Sequence, residues 1–250
     1  MRYFMDISYL GTPYHGWQIQ NNAITVQEVL QKALTQLLSE PIDITGSGRT
    51  DTGVHAKQQI AHFDTEVPID VAKLAYRLNS YLPPSIAINN ICLVQNQAHA
   101  RFDASSRQYI YEINRFKSTF KEGLSWYHRG ELDLAAINKA CAVLIRTSDF
   151  ESFSRVKTEV NNFNCHLSAA TWEATSDGFR FTVSANRFLR GMVRALVGTL
   201  MDVGLKKLSA DKFALIVEQR DRRAAGAAAP AHGLYLSQVI YPSSIYQLKN

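Results

Sequence analysis

Cysteine is scarce in this chain of 250 residues: Cys92, Cys141 and Cys165 are the only three, and no two form a CxxC pair. An odd count at such spacing excludes a disulfide framework and predicts reduced thiols in the cytoplasm. No uninterrupted apolar run approaches the roughly 20 residues of a membrane span, so no membrane attachment is expected. Met1 to Leu10 reads as a strand and lacks the apolar stretch of a signal peptide. Acidic residues are the minority sign, 22 against 27 Lys and Arg, for a net charge of +5. That balance leans towards a polyanionic partner without requiring one, since many basic proteins bind no nucleic acid. Core material is ample: 46% of residues are hydrophobic, and 20% charged removes the compositions of disorder and collagen.

Periodicity divides the chain into two runs of elements. From Thr25 to Leu38, Val26, Val29, Leu30, Ala33, Leu34, Leu37 and Leu38 recur at helical spacing, with Thr25 and Glu28 as a capping box. Strand-like segments lie near 2–9, 42–48 and 57–64, and a helix near 69–80 leads through Leu82-Pro83-Pro84 to a strand near 86–94. The second run opens on a strand from Arg107 to Arg115. A helix over about 133–146 follows, with Leu134, Ile137, Cys141, Leu144 and Ile145 on one face. Strands near 166–175 and 178–185 meet at Asp177-Gly178, a favoured two-residue hairpin turn. A helix from about 187 to Gly204, another over about 209–219 and a strand from Leu234 to Tyr241 complete the run. Strand, helix, strand, strand, helix, strand thus recurs in the second run, with one added helix before the last strand. It predicts an α+β chain of two ferredoxin-like halves, 1–105 and 106–250, with a merged antiparallel sheet and a central cleft.

One loop stands out as a carrier of chemistry. Gly46-Ser47-Gly48-Arg49-Thr50-Asp51-Thr52-Gly53-Val54-His55-Ala56 follows a short strand, and its three glycines permit unusual dihedrals and close approach. It is not a P-loop, because no Gly-Lys-Ser/Thr follows. It is not a dinucleotide loop either, because Asp51 stands where GxGxxG needs its last glycine. An acid there repels pyrophosphate, so an acid beside Arg49 suits a nucleophile or base better than an anion cradle. The plainer alternative is a turn in which Asp51 caps backbone amides and Arg49 pairs with it for structure. A metal site is not expected: His55 and His62, seven apart on one strand, point to opposite faces, and no Cys or acidic pair completes a ligand set. A two-carboxylate glycosidase site lacks its second local acid.

Two further segments suit the same site. Alternation on the strand from Arg107 places Arg107, Tyr109, Tyr111 and Ile113 on one face, where a tyrosine beside arginine can stack on a base or belong to the core. On the helix after Asn186, Arg187, Arg190 and Arg194 fall within about 60° of one another, as a basic stripe for phosphate or a solvated face.

The loop GSGRTDTGVHA resembles the active-site signature of the tRNA pseudouridine synthase A family. Tyr9-Leu-Gly-Thr-Pro-Tyr-His-Gly-Trp-Gln-Ile-Gln20 with Thr25-Val26-Gln27 resembles its first strand and turn. Leu78-Asn79 with Leu82-Pro83, His99-Ala100-Arg101-Phe102 and Arg107-Gln-Tyr-Ile-Tyr111 match later blocks in order. So do Phe188 through Arg194, Val197-Gly198, Ala224-Ala225-Gly226 and Pro230 through Leu236. The departures are Ser47, where the family often has Ala, Gln108, where a second basic residue is common beside Arg107, and the individual stretch Leu189-Arg190-Gly191.

The resemblance implies isomerisation of uridine to pseudouridine at positions 38 to 40 of the tRNA anticodon stem-loop, by a homodimer that needs no cofactor. It makes Asp51 the catalytic aspartate, Arg49 its loop neighbour, Tyr109 the active-site tyrosine and Arg194 the basic partner of the aspartate. Arg107, Arg187 and Arg190 are candidates for holding the RNA substrate, with Lys206 and Lys207 beside them. Two other classes compete: a non-catalytic tRNA-binding or chaperone protein on the same fold, and a base-excising glycosidase, which needs an activated water and a second acid.

Overall fold

The computed structural model describes residues 1–156 and 160–246. The chain divides into two compact units, Met1–Ser106 with Leu236–Asn250, and Arg107–Tyr235. Among the described residues it holds nine strands and five α-helices, and the chain is α+β.

The first unit contains β1 (Arg2–Tyr9), α1 (Val26–Leu38), β2 (Thr45–Gly46), β3 (His55–Asp64), α2 (Val71–Tyr81) and β4 (Ile86–Leu93). Its strands run in the order β4-β1-β3-β2, every pair antiparallel, which is the split βαβ arrangement. In α1, Val26, Leu30, Ala33 and Leu34 are fully buried, and burial of each larger side chain contributes about 1.5–3 kcal/mol. The capping box is only half formed. Thr25 Oγ1 accepts from the Glu28 amide, but the Glu28 carboxylate accepts from Lys32 Nζ at 2.6 Å instead of reaching back. Helix α2 starts at the cap Asp70 and ends before Leu82, which takes the extended ψ of 151° that a following proline demands.

The strand expected over 42–48 shrinks to Thr45–Gly46. Residues before it are satisfied by α1 rather than by a neighbouring strand: Gln27 donates to the Ile44 carbonyl, and the Ile42 amide donates to Thr35 Oγ1.

The second unit holds β5 (Ser106–Asn114), β6 (Trp126–Tyr127), α3 (Leu134–Ile145), β7 (Leu167–Ala174), β8 (Gly178–Ala185), α4 (Met192–Gly204) and α5 (Ala210–Gln219), and leads into β9 (Leu234–Ile240). β5, β8 and β7 are antiparallel neighbours, and β6 adds to β5 in parallel. Phe150, Phe153, Phe181 and Phe213 form its core.

Two local expectations are corrected here. The β7–β8 turn is centred on Ser176-Asp177, closed by the Thr175 amide on the Gly178 carbonyl at 2.9 Å, and neither central residue has positive φ. Gly178 belongs to the strand, where a Cβ would run into the Ile113 carbonyl of β5. Helix α4 begins at Met192, not near 187. Asn186 Oδ1 accepts from the Arg187 and His166 amides, and Gly191, at φ 71°, turns the chain into the helix. Arg187 and Arg190 therefore precede the helix, and the three-arginine stripe on one helical face does not exist.

Candidate active site

The Gly46–Ala56 loop leaves β2 and returns at the start of β3, and almost every residue in it is fastened. The Ser47 amide donates to the Ile60 carbonyl at 2.7 Å, and its hydroxyl donates to Gln59 Oε1. Gln59 Nε2 donates to the Gly48 carbonyl at 2.9 Å, so one fully buried side chain braces the outgoing arm. The Val54 amide closes a turn on the Asp51 carbonyl at 3.1 Å, with Gly53 at φ 77°. That φ is the third-position geometry of a type II turn, which explains a glycine there. On the return arm, His55 Nδ1 accepts the Gly11 amide at 2.9 Å.

Two side chains of this loop meet solvent in different ways. Asp51 is half-buried. Arg49 is exposed, and among the described residues its guanidinium has no hydrogen bond or ion pair. The structural Arg49–Asp51 pair of the plainer alternative is therefore absent from the described residues. Gly48 faces open space, with nothing within 4 Å of an added Cβ.

The two histidines of β3 are buried acceptors. His55 serves Gly11, and His62 Nδ1 accepts the Ala100 amide at 3.1 Å. Burial, with the nearby Arg2 charge, lowers the His62 pKa to about 4. Among the described residues no group of three His, Cys, Asp or Glu is placed to hold a metal ion. No helix among them is long and apolar enough to cross a membrane.

In the second unit, three candidates gather around the turn after β8. Tyr109 on β5 is half-buried, its ring edge-on to Phe188 with centroids 5.0 Å apart. Arg107 Nη1 donates to the Asn186 carbonyl at 2.7 Å, and Arg187 reaches Asn162 Oδ1 at 3.5 Å. Arg190 is exposed just before α4, where its carbonyl accepts the Arg155 amide.

Arg194 lies in the first turn of α4 and is half-buried. Its Nε donates to the Ala229 carbonyl at 2.7 Å, and its carbonyl accepts the Ala229 amide at 2.9 Å. The strap from Ala224 to Gly233 is thereby tied to the start of the helix. Tyr111, two residues after Tyr109, is fully buried and donates to the Pro230 carbonyl at 2.8 Å. Burial drives its pKa far upward, against the opposing pull of Arg194, and its hydroxyl is committed to the Pro230 carbonyl. The tyrosine available to a ligand on this strand is Tyr109.

Sequence reasoning missed the supports. Gln59, Tyr9 and Thr50 belong to no catalytic residue type at diagnostic spacing. Gln59 gives no signal of its own, because β3 also carries His55, Lys57, Gln58, His62 and Asp64.

A sequence profile of the family described as tRNA pseudouridine synthase matches residues 6–103 and 140–242. The chain is 46% identical over 250 residues to the tRNA pseudouridine synthase A of Parabacteroides distasonis, covering 100% of this chain and 99% of that protein. It is 46% identical over 248 residues to the protein of the same name from Bacteroides fragilis, covering 98% of each. For the Porphyromonas gingivalis protein of that name the identity is 45% over 249 residues, covering 98% of this chain and 99% of the other.

Proposed function

The chain belongs to the tRNA pseudouridine synthase family, and from that premise we propose that it isomerises uridine to pseudouridine at positions 38 to 40 of the tRNA anticodon stem-loop, with Asp51 as the catalytic carboxylate. The observation that carries this reading is the braced Gly46–Ala56 loop, which presents one half-buried acid and one unengaged arginine within a match covering the whole chain. Nothing favours the non-catalytic alternative.

The reaction breaks the N1–C1′ bond, turns the uracil and joins C5 to C1′, with C5 losing a proton to solvent and the freed N1 taking one up. Nothing is oxidised and no water is consumed, so a single carboxylate suffices. Asp51 attacks C1′ or C6, or deprotonates the ribose, and each route begins from the ionised form. Arg194 is assigned the cation that favours that form. Tyr109 packs on the uracil and holds it through its rotation. The target uridine must leave its stack at a cost of a few kcal/mol, and Arg49 fills the vacated place. Arg107, Arg187 and Arg190, with exposed Lys206 and Lys207, are assigned the phosphates. The reading also makes the protein a homodimer, as the family resemblance implies, and cytoplasmic, in line with its three unpaired cysteines; light scattering on the purified protein tests the dimer.

The deciding experiment is Asp51→Asn, assayed by tritium release from tRNA carrying 5-tritiated uridine beside a tRNA-binding titration at fixed salt. The substitution keeps shape and removes the charged oxygen, so activity is lost while fold and binding remain. Asn caps as well as Asp, so a purely structural Asp51 predicts little change. Wild-type release by the Asn variant, with deamidation excluded by mass spectrometry, would overturn the assignment.

A further inference from the structure

The residue in front of Asp51 is held at three points. The Thr50 hydroxyl and the Tyr9 hydroxyl form a buried hydrogen bond of 2.8 Å, with the two residues only 7% and 4% exposed. The Thr50 carbonyl accepts the Trp17 amide at 3.2 Å. Gly16, at φ 87°, lies flat against the peptide that follows, and a Cβ there would stand 2.5 Å from the Thr50 carbonyl oxygen and 3.2 Å from the Asp51 carbonyl carbon.

Tyr9 reaches this position through an irregularity in its strand. β1 pairs Ile7 with Gln59 but Tyr9 with Ala56, so one residue of β1 faces two of β3. Bulges of this kind next to a functional loop re-aim a side chain. Here the bulge brings the end of the catalytic loop one residue closer to Tyr9 than a regular ladder allows. The Tyr9 ring also tilts against Trp17, 6.2 Å between centroids, whose amide holds the Thr50 carbonyl. Tyr9 and Trp17 thus form one wall behind Thr50. A valine at position 50 has the shape to fill the same space, so packing alone does not explain a hydroxyl there.

We infer that the buried Tyr9–Thr50 hydroxyl pair sets the aim of the Asp51 carboxylate, making Tyr9 and Thr50 positioning residues for the isomerisation. The bond fixes the Thr50 side chain, and with the carbonyl and Gly16 contacts it leaves the peptide entering Asp51 one orientation. This inference rests on the assignment of Asp51 as the catalytic carboxylate.

The test measures single-turnover tritium release, tRNA affinity and thermal melting for Tyr9→Phe, Thr50→Val, Thr50→Ser and the double variant Tyr9→Phe/Thr50→Val. Tyr9→Phe and Thr50→Val each slow the chemical step about 10- to 100-fold, the range expected when a reacting group is displaced by a fraction of an ångström, while Kd for tRNA stays within about threefold. Thr50→Ser, which keeps the hydroxyl, recovers most of the rate. The double variant is no slower than the slower single one, because one bond is broken in all three. A folded Tyr9→Phe or Thr50→Val variant at the wild-type rate overturns the inference, as does a loss confined to Kd or a double variant showing the product of the single losses. Should Tyr9→Phe melt below the assay temperature, the Thr50 variants decide: Val slow with Ser restored supports the inference, and equal rates sink it. A wild-type protein that releases no tritium removes the Asp51 assignment and this inference together. An active wild type with unaffected variants removes the hydroxyl pair alone.

Discussion

Replacing Gly233 with alanine tests whether the strap that engages Arg194 is placed by close packing on Tyr111. A Cβ at position 233 would lie 2.6 Å from Tyr111 Cζ, 2.8 Å from Cε1 and 2.9 Å from the hydroxyl oxygen. Carbon atoms rest at about 3.5–4.0 Å, so the two groups must part by about 1 Å. The ring cannot retreat. It is fully buried, edge-on to Trp126, and bonded through its hydroxyl to the Pro230 carbonyl. The strap therefore moves, and it carries the Ala229 carbonyl away from Arg194 Nε. Overpacking of this kind costs about 1–3 kcal/mol. At about 2–4 °C per kcal/mol for a chain of this size, Tm falls by roughly 5 °C. Turnover falls about 10- to 100-fold through the displaced guanidinium, with tRNA affinity nearly unchanged. Melting curves and single-turnover tritium release read both effects. Tyr111→Leu alone leaves a cavity and also destabilises, but in combination it gives the new methyl room. The double variant should therefore be more stable than the sum of the two losses by about 1 kcal/mol. Additive losses, or a Gly233→Ala protein with wild-type Tm and rate, would refute the reasoning.

On the proposed assignment of Arg194 as the cation that keeps Asp51 ionised, Arg194→Ala should slow the chemical step about a hundredfold, about 3 kcal/mol in the barrier, while leaving tRNA affinity within a few fold; wild-type turnover would make Arg194 a structural tie to Ala229 only. Tyr109→Phe should keep part of the activity and Tyr109→Leu little, if the ring packs on uracil; a fully active Leu variant would show that no ring is needed. His62 makes a pH prediction. Its folded pKa of about 4 lies below its unfolded value of 6.5, so the unfolded chain binds more protons between the two. Its contribution is complete above pH 6.5 and is lost as pH falls towards 4, about 3 kcal/mol in all. Denaturant titrations over that window should show a steep acid limb in the wild type and a flatter one in His62→Gln; parallel limbs would mean His62 is not held neutral.

The site was legible unevenly. Asp51 and Arg49 are legible because a glycine-rich loop that is neither a P-loop nor a dinucleotide loop carries them, although turn capping accounts for the acid equally well until the family signature is matched. Tyr109 and Tyr111 looked equivalent, since alternation puts both on one face of β5. Burial separates them: Tyr111 is closed in by Gly233 and Pro230, more than a hundred residues further along the chain. The braces of the loop were invisible for the same reason. Gln59 meets Gly48 and Tyr9 meets Thr50 only after β1, β2 and β3 align.

What the sequence determined by itself is the set of elements with strong internal periodicity and their order: α1, α2, α3 and α5 within a few residues, most of the longer strands, and the mixture of strands and helices that makes the chain α+β. Those features depend on side chains a few positions apart, which share a helix or strand face whatever else the chain does. Tertiary structure decided where backbone groups find partners. It shortened β2, because α1 side chains satisfy Ile42 and Ile44. It moved the start of α4 to Met192, because Asn186 and Gly191 hold the preceding turn. It moved the hairpin tip from Asp177-Gly178 to Ser176-Asp177 and made Gly178 the first strand residue, where β5 passes too close for any side chain. In each case the deciding atom belongs to a residue distant in sequence or to a backbone dihedral that periodicity does not encode.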